Sequence, residues 1–337
     1  MPQNKLPATD SGIFLWMTYH AMKQAGLDCA AIFASVGMPD SPPDPNVRQI
    51  NSPQGQFWAA AEKVSGDPDI GLHIGGAMPA FRGQVIEYLF LSSPTFGEGL
   101  ERTLRYHRLL TDALHIKFRI EGDSAILYGF EHPVRHYLEC AVAALITFLW
   151  HVTDSKFQAQ EICFIYEKGA SAIDYERIYR CPVHLGADEG IIRFDAKFLE
   201  RPSPAAEPQL LTVHENLALQ RISDLDRREL VHKIEGELAG LLELGEVTLE
   251  SVATLLNKNP RTLRADLAHI GTHFNDVVAN YRKRLAQQLL AQTQAPLDQI
   301  VYQTGFSEPS AFIRAFKRWT GETPMSYRAR KQPEGKH

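Results

Sequence analysis

The chain has 337 residues, 44% hydrophobic and 22% charged, with a formal net charge of −5. The length suits two domains and the composition is that of a globular protein with real cores. An acidic total taken alone argues against a nucleic-acid partner, but the charge is unevenly spread. Residues 1–239 hold 22 Lys+Arg against 31 Asp+Glu, whereas residues 240–337 hold 13 against 9. A locally basic C-terminal part on an acidic chain is a hint of a nucleic-acid module joined to something else.

The four cysteines, Cys29, Cys140, Cys163 and Cys181, form no CxxC pair and read as reduced thiols. The start, "MPQNKLPATDSG", lacks a basic-then-apolar signal pattern. The longest apolar run, "CAVAALITFLW" at 140–150, is too short to span a bilayer. These features predict a soluble cytoplasmic protein with no membrane partner.

Residues 13–38 carry Phe14, Met17, Ala21, Met22 and Leu27 at helical spacing, with Gly26 as a break. After the loop "SPPDPN", Ser52 as a cap and Pro53 at the first helical position start a helix that Gly66-Asp67-Pro68 ends. "SSPTFGEGLERTLRYHRLL" predicts a loop and then a helix with Leu100, Leu104, His107 and Leu110/Leu114 on one face. The period then changes to two. "LHIKFRIEGDSAILYGFE" alternates on both sides of Gly122-Asp123, the strongest hairpin signal in the chain. "PVRHYLECAVAALITFLWHVT" is a long apolar helix pattern, and "EICFIYEK" and "EGIIRFD" read as further strands. Residues 1–200 therefore predict an α+β domain with a small, antiparallel sheet. "RPSPAAEPQ" (201–209), with three prolines, is the best linker candidate. Beyond it, 210–222 and 224–244 have helical spacing, and no segment after 248 alternates, so the C-terminal third is all-α.

That third contains a repeat. "LESVATLLNKNPRTLRADLAHIG" (249–271) and "LDQIVYQTGFSEPSAFIRAFKRWTG" (297–321) each hold a short helix, a residue suited to positive φ (Asn257, Gly305), a capping residue (Asn259, Ser307) and a proline (Pro260, Pro309). A second helix follows with an i, i+4 apolar pair, Leu263/Leu267 or Phe312/Phe316, and the second copy has one extra residue in its turn. This is helix-turn-helix geometry, in which the second helix enters the major groove. The segment between, 272–294, reads as one helix of about 30 Å, long enough to set two recognition helices about one DNA turn apart. Its apolar stripe holds Tyr281, Leu285 and Leu289, which with Trp319 read as core, and Arg282-Lys283-Arg284 cannot all face one way.

Residues 226–330 resemble the DNA-binding domain of AraC/XylS-family transcriptional regulators. The likeness rests on Gly305-Phe306-Ser307, Phe312, Arg314, Phe316-Lys317, Gly321, Pro324 and Tyr327-Arg328. More weakly, "SSPTFGEGLERTLRYHRLL" and "CPVHLGADEGIIRFDAKFLERP" resemble the arabinose-binding-domain-like sensing domain of one subgroup. The resemblance implies an α+β N-terminal sensory domain followed by an all-α C-terminal domain with two helix-turn-helix motifs joined by a long helix. The expected organisation is an effector-binding and dimerisation domain at 1–200, a linker and connecting helix at 201–225, the DNA-binding domain at 226–330 and a tail at 331–337. Within the DNA-binding domain the motifs fall at about 248–270 and 297–320, with the joining helix at about 272–293.

The resemblance also implies DNA contacts at Arg261, Thr262, Arg264, Ala265, Ser310, Ile313, Arg314, Lys317 and Arg318. Arginine suits guanine edges, and Lys317 and Arg318 suit phosphates. The family usually has Arg where Ala265 stands, which removes one possible contact. Double-stranded promoter DNA is the expected partner, with RNA polymerase as a second for an activator and a homodimer through 210–222.

No motif of an enzyme appears: no Gly-x-Ser-x-Gly, no P-loop, no HExxH and no GxGxxG after a strand. The expectation is no enzyme, no cofactor and no metal, the histidines at 107, 132, 136 and 151 reading as core or surface. Polar residues that interrupt apolar patterns, Arg82, Tyr88, Arg105, His107 and His136, are candidate effector contacts, with Arg135 and Tyr137 beside them. An Arg–carboxylate fork would suit an amino acid, an organic acid or a fatty acid. Two alternatives stay open: a DNA-binding regulator without an effector, and an enzyme or ligand-binding protein with a helical interaction tail.

Overall fold

The computed structural model describes residues 7–332. Residues 1–6, in the stretch read as free of a signal pattern, and 333–337 of the expected tail lie outside the described residues. The chain divides into two compact units, one ending at Ile222 and one beginning at Ser223.

The first unit opens with β1 (Thr9–Asp10), which pairs antiparallel with β2 (Gln49–Ile50). Between them lie α1 (Gly12–Gln24) and α2 (Cys29–Ala34), separated by Gly26 at φ 74°. Next come α3 (Gln54–Ser65), α4 (Ile70–Ala77), α5 (Val85–Ser92) and α6 (Phe96–Arg105). Thr95 caps α6, its hydroxyl accepting from the Glu98 N–H. The face expected to run to Leu114 breaks at Arg105: a 3-10 turn, His107–Leu109, follows, so His107 and Leu110 point inward from a turn, not from a helix. Pro53 takes the cap position of α3 without a side-chain bond, so Ser52 does not cap it.

A five-stranded sheet follows in the order β3-β4-β7-β5-β6, from β3 (Lys117–Glu121), β4 (Ser124–Tyr128), β5 (Ala159–Cys163), β6 (Val183–His184) and β7 (Ile191–Asp195). β3 and β4 form the hairpin across Gly122-Asp123, with Gly122 at φ 60°. Only the β5–β6 pair is parallel. α7 (Arg135–Val152) precedes β5, and α8 (Ala172–Tyr179) precedes β6. The apolar run at 140–150 is the middle of α7, and among the described residues no helix is long and apolar enough to cross a membrane.

α4 lies against α7 at backbone distance. A Cβ at Gly71 would fall on the backbone of His136, and one at Gly75 would sit 2.8 Å from Cys140 Cα and from Ala143 Cβ. The proline-rich stretch is bound to the first unit: Phe96 N–H donates to Arg201 O (2.8 Å), Ser203 Oγ to Leu91 O (2.7 Å) and Glu207 N–H to Ser92 O (3.2 Å). The two helices expected beyond it are one, α9 (Pro208–Leu244).

The second unit is helical, with α10 (Leu249–Leu255), α11 (Pro260–His269), α12 (Phe274–Gln292), α13 (Leu297–Gln303), α14 (Pro309–Thr320) and α15 (Pro324–Lys331). It has two small cores. One gathers Ile234, Leu238, Val252, Leu263 and Leu267 with Val277 and Val278 from the start of α12. The other gathers Ala286 and Leu290 from its end with Ile300, Phe312, Phe316 and Tyr327. α12 is thus a shared beam.

The two turns close with the same bonds. Asn257 N–H donates to Thr254 O and Lys258 N–H to Ala253 O; Gly305 N–H donates to Tyr302 O and Phe306 N–H to Val301 O. Both are Schellman closures, with Asn257 at φ 52° and Gly305 at φ 71°. The extra residue of the second copy enters after the closure, before the next helix. There the cap position falls to Glu308, next to Pro309, and not to Ser307. Asn259 does cap α11, accepting from Arg261 N–H at 2.8 Å.

The environments of the two turns differ. Asn257 is exposed, whereas a Cβ at Gly305 would fall on Leu242 Cδ2, with Arg282 Nη2 3.2 Å away. Gly305→Ala should cost about 2–4 kcal/mol, from left-handed strain plus overpacking. Asn257→Gly should change stability by no more than about 0.5 kcal/mol. Chemical denaturation of the two variants against the native protein reads both numbers; equal effects would remove the asymmetry.

Candidate effector cavity and DNA-recognition helices

The first unit encloses a cavity of about 310 Å³. Four helices build most of its wall. α1 supplies Phe14, Leu15 and Thr18; α3 supplies Gln54, Phe57 and Trp58; α6 supplies Leu100, Thr103 and Leu104; α7 supplies Tyr137, Cys140, Ala141, Ala144, Leu145, Phe148 and Leu149. The reason lies in the side chains. α7 is apolar nearly all round, and its small Ala141 and Ala144 leave room that larger residues would fill. Gln49 and Ile50 of β2 also line the space, Ile50 being 54% exposed.

Two sets of polar groups belong to residues that line this space. The buried Asp10 carboxyl accepts from Thr111 Oγ1 (2.6 Å), Tyr137 Oη (2.7 Å), Asn51 Nδ2 (2.7 Å) and Gln54 Nε2 (3.4 Å). Burial, then the nearby Asp10 charge, pushes the Tyr137 phenol well above its ordinary value, which keeps it a donor. This group is saturated. The second group is not: Trp58 Nε1, Thr103 Oγ1 and His107 Nε2 have essentially no accessible surface, so they do not face the open space, and take no partner among the described residues. His107 Nδ1 lies 2.8 Å from Leu104 O, and a carbonyl only accepts, so Nδ1 holds the hydrogen.

Of the N-terminal candidates, His107 lines the cavity. Arg82 is exposed and does not line it. Tyr88 is 44% exposed and stacks on His214 at 5.3 Å. Arg105 pairs with Glu215 at 3.3 Å. His136 packs at the α4–α7 contact, its Nδ1 accepting from Gly71 N–H and its Nε2 facing Glu62 at 3.2 Å. Arg135 pairs with Asp69 at 2.9 Å and donates to Pro68 O. Among the described residues no Arg or Lys lines the cavity, so it offers no guanidinium fork. Among the described residues, too, no group of three His, Cys, Asp or Glu side chains is placed to hold a metal.

Trp58 and Thr103 escape a reading of the sequence because what distinguishes them is a missing partner. Thr18, Thr153 and Thr304 each donate to the carbonyl four residues back, as helical threonines commonly do; Thr103 does not.

In the second unit, α11 buries Leu263 and Leu267 and leaves Arg261, Thr262, Arg264 and Ala265 exposed. α14 buries Phe312, Ala315 and Phe316 and exposes Ser310, Arg314, Lys317 and Arg318. Ile313 is half-buried against the second small core. Three other cations of the unit are tied down: Lys258 to Asp266 (2.6 Å), Arg284 to Glu235 and Arg330 to Glu322. Arg261, Arg264, Arg314, Lys317 and Arg318 take no carboxylate partner among the described residues, so both outward helix faces carry uncompensated positive charge. Ser310 Oγ donates to Glu308 Oε2 at 3.3 Å, placing an acid at the tip of α14 that was not singled out from the sequence. Arg282 turns inward instead: its guanidinium donates to Gly305 O (3.2 Å) and stacks on Phe306, and burial holds its pKa below the usual value. Tyr281, Leu289 and Trp319 pack on the small cores.

Comparison with known proteins agrees with this geometry. The family model "Arabinose-binding domain of AraC transcription regulator, N-term" matches residues 26–203, and a helix-turn-helix domain model matches 252–330. An ornithine utilization regulator of Pseudomonas aeruginosa is 28% identical over 317 residues, covering 92% of this chain and 91% of that protein. The HTH-type transcriptional regulator VirS of Mycobacterium tuberculosis is 26% identical over 246 residues, covering 71% and 72%. The solved structure of transcriptional regulator CdpR from Pseudomonas aeruginosa is 20% identical, covers 94% of this chain and 98% of its own, and superposes with a TM-score of 0.43. With a sensing-domain match over more than half its length and a helix-turn-helix match behind it, the chain belongs to the AraC family of DNA-binding transcriptional regulators.

Proposed function

We propose that this regulator is effector-responsive: a small organic molecule enters the first-unit cavity and changes how the second unit engages promoter DNA. The observation that carries the reading is the cavity itself, mostly apolar and lined chiefly by four helices. A concave, mostly apolar space with a few polar groups among its lining residues is the usual form of a small-molecule site. Such a ligand acts only through a difference in affinity between two states of the protein. The effector candidates are amino acids, organic acids and fatty acids, and the relative named for ornithine utilization gives amino acids a place among them.

On DNA, Arg261, Arg264 and Arg314 read base edges, with Thr262, Ala265, Ser310 and Ile313 lying beside them. Lys317 and Arg318 meet phosphates. Exposure of these side chains and the absence of competing carboxylates support the assignment, with Ile313 the weakest member because it leans on the core. As an activator the protein would touch RNA polymerase in the cytoplasm. A homodimer is supported by α9, which is apolar on two faces: Leu211, Ala218 and Ile222 pack inward on the first core, whereas Leu210, Val213 and Leu217 are 51%, 60% and 38% exposed. The i, i+3, i+7 spacing suits a self-complementary seam with a second copy.

Three outcomes test these roles. Arg264→Ala and Arg314→Ala should each cost about 1–3 kcal/mol of specific binding and relax discrimination at one base position. Lys317→Ala should weaken binding to all sequences and reduce the salt slope of log K by about one. Fluorescence anisotropy on promoter and scrambled duplexes over a salt series measures both, and a salt-independent affinity would sink the phosphate assignment. Val213→Asp with Leu217→Asp should convert a sedimenting dimer to monomer; an unchanged sedimentation coefficient rules out the α9 seam.

A further inference from the structure

We propose that Glu308 is a specificity-determining residue of the second recognition helix: its carboxylate accepts a hydrogen bond from the amino group of a cytosine in the major groove and disfavours the other bases there. This rests on α14 lying in the groove, as proposed above, and adds an acidic base reader to its arginine and serine.

Glu308 holds the cap position of α14 in extended backbone, with φ −135° and ψ 134°. A side chain at that position ordinarily accepts from the first free N–H groups of its helix. Three caps of this unit do so: Thr248 accepts from Ser251 N–H, Asn259 from Arg261 N–H and Thr323 from Ser326 N–H. Asn259, which precedes Pro260 as Glu308 precedes Pro309, is thus spent on its own helix. The Glu308 side chain makes no capping bond. It is exposed, and the bond from Ser310 Oγ to its Oε2, at 3.3 Å, holds the carboxylate beside Ser310. Ser310, Arg314 and Lys317 follow at i, i+4 and i+7, one line along the outward face, while Phe312, Ala315 and Phe316 are buried opposite. The acid stands at the head of that line.

The N-terminal residues of a recognition helix are the ones that reach base edges. In the first turn of α14, Pro309 and Ala311 carry no polar side-chain atom and the Ser310 hydroxyl is directed at Glu308. The carboxylate is therefore the side-chain group with reach. Phosphates repel it, so it is favourable only where a base donor faces it. Cytosine presents its N4 amino group in the major groove, and adenine its N6 amino group beside the N7 acceptor; guanine and thymine present acceptors. The expected order is cytosine, then adenine, with guanine and thymine last. The repelled bases contribute to discrimination as well as the accepted one.

The test takes the full chain, native and as Glu308→Ala, Glu308→Gln and Arg314→Ala, through site selection from a randomised duplex pool. Fluorescence anisotropy on four duplexes that differ at a single base pair then reads the affinities. The native protein should favour cytosine at one position over guanine or thymine by about five- to tenfold. Glu308→Ala should flatten that position alone and raise affinity for scrambled DNA about two- to threefold, a gain that fades as salt rises. Glu308→Gln, whose amide pairs with adenine N6 and N7, should turn the preference from cytosine to adenine. A merely structural role at the helix start would not change which base is chosen. Arg314→Ala should relax a different position. If both Glu308 variants select the native site while Arg314→Ala does not, the assignment fails and the groove helix stands. A uniform loss of affinity across all four duplexes in the Glu308 variants marks the residue as structural and also overturns it. If all three variants select the native site, α14 does not read bases, and the assignment falls with that reading.

Discussion

The first unit depends on one close approach. α7 buries eleven of its eighteen residues, and it can do so only because Gly71 and Gly75 let α4 reach its backbone at His136 and Cys140. Side chains larger than hydrogen at those two places would separate the helices and open the core. The same burial encloses Glu139, whose Oε1 accepts from Tyr166 (3.1 Å) and Tyr175 (2.5 Å) and whose backbone carbonyl accepts from Tyr179 (3.0 Å). Burial pushes the Glu139 carboxyl up and the tyrosine phenols above their ordinary range, so this cluster stays a set of donors around one acceptor.

The cavity is a by-product of the helix so placed. α7 presents Ala141 and Ala144 to a space that residues of α1, α3 and α6 also line, and most of its lining residues are apolar.

In the second unit the governing device is α12, whose two halves belong to two separate cores. Each core holds one helix-turn-helix, and the repeat has diverged where the surroundings differ. Asn257 stands exposed in the first turn, whereas Gly305 is held to glycine by Leu242 and by the inward Arg282. Pairing shapes the modest positive charge of this unit: Lys258, Arg284 and Arg330 are neutralised locally, whereas the cations on the outward faces of α11 and α14 take no carboxylate among the described residues.

The sequence by itself determined the two-part fold, the hairpin at Gly122-Asp123, the duplicated turn and the exposed positions of α11 and α14. Each of these is set by local periodicity or backbone chemistry, which neighbours in sequence carry. α4 and α5 left no such trace, since "IGLHIGGA" and "VIEYLFLS" lack the polar face that marks a surface helix. Tertiary structure alone decided the cavity wall. Arg105 and Arg135, plausible ligand anchors by residue type, are spent on Glu215 and Asp69, while Trp58 and Thr103, unremarkable in sequence, are left without partners. Whether a polar group is satisfied depends on atoms brought from distant parts of the chain, and periodicity does not record which of them arrive.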